Sequence, residues 1–214
     1  MASELNGKRI AILATHGFEQ SELEKPRDAL IEAGAKVDVV SPAKEPRIRG
    51  WKHTDWGDSV AVNIPLAKAD AADYDGLLLP GGVFNPDKLR LEPAAIAFVK
   101  AFGDAGKPIA AICHGPWTLI DAGIAKGRTV TSWPSIKTDL INAGASWVDQ
   151  EVVVDNGLVT SRKPDDIPAF NAKMIEELKE GRHPPGKGPA GGKGSGQSSA
   201  PRTGQKPARG EPSR

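Results

Sequence analysis

The sequence predicts an α/β fold with a mostly parallel sheet covered by helices on both faces. Three observations predict it. Short, almost wholly apolar runs recur at Arg9–Ala14, Gly76–Leu79 and Pro108–Ile112. They do not alternate apolar with polar residues, which marks strands buried on both faces. Between them lie segments with helical spacing of apolar residues, and strands separated by helices build βαβ units.

Taken in order, Arg9–Ala14 reads as a buried strand. Ser21–Ala33 follows as a helix, with Leu23, Leu30 and Ile31 as apolar positions and Gly34 at its stop. Lys36–Val40 is the second strand. Pro46–Val62 is polar and irregular, with room for small hairpin strands. Gly76–Leu79 is a short strand that runs into Pro80-Gly81-Gly82. Glu92–Ala105 reads as a helix carrying Ile96, Phe98, Val99 and Phe102. Pro108–Ile112 leads into Cys113-His114-Gly115 and a helix through Ile120. Short strands are expected at Thr129–Thr131, Ser146–Val148, Glu151–Val154 and Leu158–Ser161, and a last helix over Ile167–Leu178.

Composition divides the chain near residue 180. Residues 181–214 hold nine Gly and six Pro, and three alanines are their only aliphatic side chains. They carry a net charge of +6 against −5 for residues 1–180, so the overall +1 sums two unlike parts. A segment of this kind buries too little apolar surface to offset its ordering entropy. The expected division is therefore an α/β domain over 8–180 and a disordered, basic, Gly/Pro-rich tail over 181–214. About 180 ordered residues suit one domain with a sizeable core.

The same counts exclude several classes. One cysteine excludes an intramolecular disulfide and a multi-cysteine zinc site. No apolar run approaches the roughly 18 residues of a membrane span. Residues 1–7 contain no apolar stretch of signal-peptide type, which sets a cytoplasmic expectation. The mildly acidic body argues against a nucleic-acid-binding face there.

The most informative segment runs from Lys107 to Trp117. A buried strand ends, one residue sits at the turn, and Gly115-Pro116 opens a helix, where proline's missing N–H costs nothing. Cys113 is thus expected at the C-terminal edge of the sheet, where open α/β sheets bind ligands. The helix end carries partial positive charge, so the expectation is a stabilised thiolate. The plainer reading is a buried structural cysteine. The His-Gly-Pro that follows and the turn position favour a functional thiol. His114 is either a base for it or a histidine bonded to backbone.

Two further loops are expected at the same edge. In Thr15–Glu22, Glu19 stands just before a helix, either as an acid favouring the helix dipole or as a proton carrier beside the thiol. In Pro80-Gly81-Gly82 the glycines either make a tight turn or expose backbone N–H groups to a substrate oxyanion. Each signal alone is weak, and their convergence on one edge is the stronger case.

These residues carry a resemblance. Ala111-Ile-Cys-His-Gly-Pro116, Phe18-Glu19 and Leu78-Leu-Pro-Gly-Gly82 resemble the PfpI-like intracellular peptidases. Their superfamily includes the parkinsonism-associated deglycase. Gly127-Arg128, Ile141–Gly144, Asp149–Val154 and Thr160–Arg162 with Pro164–Asp166 add to the match, which covers about residues 8–178. The resemblance implies a three-layer sandwich of the flavodoxin-like, class I glutamine amidotransferase-like kind. It implies Cys113 as nucleophile, His114 as its histidine, and Glu19 as the buried acid on the thiol. Gly81 and Gly82 are implied at the oxyanion position. Asp87 stands where this branch places an acid that reaches the histidine from a neighbouring subunit, commonly a Glu. Trp117 replaces a frequent Gln and Trp133 a frequent Tyr, so the expected pocket is more apolar.

The implied chemistry needs no cofactor and no metal. Its first form is a stress-protection hydrolase acting on reactive carbonyls, as a deglycase or glyoxalase. Small aldehydes or glycated groups are its substrates, and self-association at least to a dimer is implied by the shared acid. The alternatives are a cysteine peptidase of PfpI type and a non-enzymatic redox sensor acting through Cys113. With no second cysteine, a disulfide switch would need an external thiol.

Overall fold

The computed structural model describes residues 4–184. In chain order the strands and helices are β1 (Arg9–Leu13), β2 (Phe18–Glu19), α1 (Gln20–Glu32), β3 (Lys36–Ser41), β4 (Arg47–Lys52), β5 (Asp55–Ala61), β6 (Ile64–Pro65) and β7 (Gly76–Leu79). They continue with α2 (Phe84–Arg90), α3 (Pro93–Asp104), β8 (Ile109–Ile112), α4 (Pro116–Asp121), β9 (Thr129–Val130), α5 (Lys137–Asn142), β10 (Ser146–Trp147), β11 (Val152–Asp155), β12 (Leu158–Ser161) and α6 (Ile167–Glu180).

Seven strands form the central sheet in the order β11-β12-β8-β7-β1-β3-β6. All its pairings are parallel except β11 with β12. The apolar strands explain the layers. In β1, Ala11 and Leu13 face one core with Phe98, Val99 and Phe102 of α3 and Leu119 of α4. Ile10 and Ile12 face the other core with Leu23 and Leu30 of α1 and Phe170 and Met174 of α6. A strand whose both faces are buried this way has no polar position to spare. The expected three-layer sandwich with a mostly parallel sheet is the fold observed.

β1, β7 and β8 are neighbours and parallel, so the loops that follow them emerge together at one edge. This adjacency collects the site. The chain leaves β1 for β3 on one side and returns to β7 on the other, which makes the β1/β7 junction the topological switch point.

Some local expectations are corrected. The polar stretch 46–62 does hold the small hairpin that was expected, β4–β5, and what was not expected is that β2 joins it in a small second sheet. The strands at Thr129 and Ser146 pair with each other rather than with the central sheet. α2 and α5 were not expected, being short segments whose apolar spacing is carried mainly by Leu89 and Leu140. Ile31, read with Leu23 and Leu30 as an apolar position of this helix, is 53% exposed, whereas the other two are buried.

The packed body is wider than 8–180. Leu5 is fully buried and its N–H donates to the Ala33 carbonyl at 2.8 Å. The His183 N–H donates to the Gly106 carbonyl at 2.8 Å. The segment read as a basic disordered tail lies outside the described residues apart from 181–184. No helix of the described residues is long and apolar enough to cross a membrane.

Candidate active site

Cys113 follows β8 with φ +62°, a left-handed conformation that non-glycine residues seldom adopt. Its N–H donates to the Ser161 carbonyl at 3.0 Å, and its carbonyl accepts from Trp133 N–H at 2.9 Å. These two bonds hold the strained elbow from both sides. Gly115 is required beneath it, because a Cβ there would lie 2.5 Å from the Leu79 carbonyl oxygen. The strand-turn-helix geometry expected from sequence is present, with Pro116 opening α4.

His114 is beside the thiol rather than turned away. Its Nδ1 lies 3.2 Å from Cys113 Sγ, and its Nε2 lies 3.2 Å from Ser135 Oγ. Trp117 meets the ring edge-on at 5.3 Å and Trp133 stacks on it at 6.1 Å. Both tryptophans therefore flank the imidazole. Burial in this apolar slot pushes the imidazole down to about 4, so the ring is neutral at physiological pH.

The acid at the thiol is Glu22, not Glu19. Glu19 ends β2 and is the N-cap residue of α1. It is half-buried and accepts a bond from Ser21 Oγ at 3.2 Å. Glu22, three residues on, turns inward on the stripe shared with Pro26 and Leu30 and is fully buried. Its Oε2 accepts the Gly81 N–H at 2.9 Å, and its Oε1 has no hydrogen-bond partner among the described residues. Burial first, and the nearby Glu19 charge second, push the carboxyl up to about 8; hydrogen bonds from Cys113, Gly81 and Gly82 act against this. At neutral pH Glu22 is mostly a neutral acid. The spacing of the stripe, residues 22, 26 and 30, was the available signal for it.

The thiolate expected at the helix end is also corrected. Cys113 is 7% exposed, and burial together with the Glu22 charge raises its pKa well above the ordinary thiol value. Backbone N–H groups of Gly82 and His114 pull the other way. α4 has only six residues, too few for its end to offset burial.

The oxyanion loop divides its roles. The Gly81 N–H is held by Glu22, whereas the Gly82 N–H is directed at both Glu22 and the Cys113 sulfur. The second donor is His114 N–H, the residue after the nucleophile, as at other nucleophile elbows. Asn85, fully buried, fastens this loop to the one after β1. Its Oδ1 accepts Thr15 N–H at 2.7 Å and its Nδ2 donates to the Pro80 carbonyl at 2.9 Å. Asn85 was missed because α2 was missed. Asp87 is exposed in the first turn of α2 and is not brought to His114 within the chain.

Known proteins resemble this chain over most of its length. A family model described as DJ-1/PfpI family matches residues 8–177. "Putative cysteine protease YraA" of Bacillus subtilis is 45% identical over 172 residues, covering 80% of this chain and 99% of that protein. "General stress protein 18" of the same organism is 44% identical over 175 residues, covering 81% and 99%. Drosophila melanogaster DJ-1beta superposes with a TM-score of 0.73 at 32% identity, covering 80% of this chain and 90% of that one.

Proposed function

The chain belongs to the DJ-1/PfpI family, and from that premise we propose that it is a cysteine-dependent hydrolase of small reactive carbonyls. One observation carries the reading. A thiol that is 7% exposed has a neutral imidazole at 3.2 Å on one side and a mostly protonated carboxyl on the other, and two tryptophans flank that imidazole. Such a slot suits a molecule of a few heavy atoms better than an extended peptide.

The chemistry balances without a further reactant except water. Cys113 Sγ adds to the aldehyde carbon of a 2-oxoaldehyde while its proton passes to His114 Nδ1. The new oxyanion accepts N–H bonds from Gly82 and His114 and takes that proton to give a hemithioacetal. The carbon-bound proton then moves, through an enediol, to the adjacent carbonyl carbon, with Glu22 and His114 as the available proton carriers. Water cleaves the resulting thioester to a 2-hydroxy acid and restores the thiol. Methylglyoxal would give lactate. In a glycated amine or thiol that carbon is already a hemiaminal or hemithioacetal, so Cys113 Sγ would displace the amine or thiol, which leaves with the proton that His114 took from the sulfur, and the same Cys113 hemithioacetal results. No step is assigned to Asp87.

The second reading, a peptidase, draws support from the Bacillus subtilis relative named "Putative cysteine protease YraA". Wild type and Cys113→Ser are assayed for methylglyoxal loss with lactate formation and for casein hydrolysis. The carbonyl reading expects lactate from wild type only, and no casein cleavage. Equal methylglyoxal loss in both proteins would sink it, and Cys113-dependent casein cleavage without lactate would put the peptidase in its place.

A further inference from the structure

We propose that Ser135 is the positioning residue of His114: its hydroxyl accepts the Nε2–H, and this holds the Nδ1 lone pair on the Cys113 sulfur. Both ring nitrogens are engaged within one chain, Nδ1 at 3.2 Å from Sγ and Nε2 at 3.2 Å from Ser135 Oγ. The serine is not on a loose loop. It is the centre of a 3-10 turn, Pro134–Ile136, whose Ile136 is fully buried. Trp133, just before the turn, is latched to the Cys113 carbonyl by its N–H at 2.9 Å and stacks on the imidazole. The turn that carries the hydroxyl is thus fixed to the elbow that carries the sulfur.

The choice of a hydroxyl has a chemical consequence. A carboxylate at Nε2 would stabilise the imidazolium and raise the ring's pKa. A neutral hydroxyl accepts the same N–H without adding charge. In agreement, the downward shift of His114 has burial as its cause and no charged partner. The titratable groups around the pair are Glu22, facing Cys113 from α1, and Glu19, acting through Glu22. Arg90 and Asp139 lie against Trp117 rather than the imidazole. During thiol attack the sulfur proton passes to Nδ1, and Ser135 keeps its own proton and the Nε2–H bond throughout. The catalytic benefit rests on the carbonyl reading, but the positioning itself does not.

The test therefore reads the ring and the thiol directly. Side-chain 15N NMR of His114 is combined with the pH profile of Cys113 alkylation by iodoacetamide, for wild type and for Ser135→Ala, Ser135→Thr and Ser135→Asp. Wild type should show the Nε2–H tautomer. Ser135→Ala should populate both tautomers and slow alkylation at pH 7 about fivefold, the worth of one neutral hydrogen bond. Ser135→Thr should restore both readings. Ser135→Asp should raise the ring's pKa and move the alkylation midpoint down by about one pH unit. An Nδ1–H tautomer in wild type, or unchanged spectra and profiles in both Ser135→Ala and Ser135→Asp, overturns the proposal. These readings hold whether or not methylglyoxal is consumed, so failure of the carbonyl reading is seen separately.

Discussion

The Gly81 N–H donates to Glu22 Oε2 at 2.9 Å, and this bond ties the first turn of α1 to the loop that follows β7. It also fills the space in which a side chain at position 81 would stand. A Cβ there would lie 2.6 Å from Glu22 Oε2, 2.7 Å from Cys113 Cβ and 2.9 Å from His114 N. Two of the three atoms belong to the rigid elbow and cannot move aside cheaply. Gly81→Ala is expected to destabilise the fold by about 1–3 kcal/mol, the range for overpacking a close-packed site, and to abolish thiol reactivity. Chemical denaturation with thiol titration checks this. A stable Gly81→Ala protein with normal alkylation would show that the contact is slack.

Glu22 makes stability depend on pH in an unusual direction. Its folded-state pKa, about 8, lies above the ordinary 4.5. The folded protein therefore holds this proton over a range where the unfolded chain has lost it. The contribution is fully favourable below pH 4.5 and is lost as pH rises toward 8. The slope is at most about 1.4 kcal/mol per pH unit. Between pH 5 and 8 wild type should lose roughly 3 kcal/mol relative to Glu22→Gln, which cannot ionise. Glu19→Gln, at the half-buried N-cap, should retain most of the wild-type slope. Urea unfolding at several pH values checks it, and parallel curves for wild type and Glu22→Gln would refute a buried neutral acid.

The contrast between Cys113 and Glu22 shows what sequence makes legible. Cys113 is readable because it is local: an apolar run, Cys-His, then Gly-Pro, all contiguous. The central sheet is readable for the same reason, since each buried strand is a continuous apolar run. Glu22 and Glu19 both stand at the start of α1, and which one enters the core depends on the helix phase, set by a start at Gln20. A shift of one residue rotates a side chain by about 100°. Ser135 is 21 residues from His114, a separation at which no spacing rule applies. The raised thiol pKa was invisible because it comes from burial and from Glu22, both products of tertiary packing.

Lys107 supports the site from the opposite end of the sheet. It is 7% exposed, and its Nζ donates to the carbonyls of Ala71 at 2.7 Å, Tyr74 at 2.5 Å and Ala72 at 3.3 Å. One ammonium thus satisfies the turn that feeds β7. Lys107→Ala leaves those carbonyls without a donor and is expected to cost about 3 kcal/mol. Lys107→Met keeps the stem's packing but not the bonds, and should recover only part of the loss. Equal stability of Lys107→Met and wild type would mean that packing, not hydrogen bonding, is what the residue supplies.

The C-terminal limit of the folded body is the last point open to a direct test. His183 N–H is bonded to Gly106, its ring Nε2 lies 3.1 Å from Glu177 Oε2, and Asn156 Nδ2 donates to the Pro184 carbonyl at 2.8 Å. Glu177 is 7% exposed and also accepts the Gly157 N–H at 3.1 Å. Residues 181–184 therefore close the base of the sheet beside the starts of β8 and β12. Residues 185–214 bring no aliphatic side chain beyond three alanines. A chain ending at Pro184 should melt within about 2 °C of the full chain and keep its thiol reactivity. A chain ending at Glu180 loses two or three hydrogen bonds and the partner of a buried carboxylate, roughly 2–3 kcal/mol, or about 5–10 °C for a domain of this size. Two truncations followed by thermal melts decide it. Equal melting of both would place the boundary at 180, and a large fall for the chain ending at Pro184 would give the basic segment a structural role that its composition does not suggest.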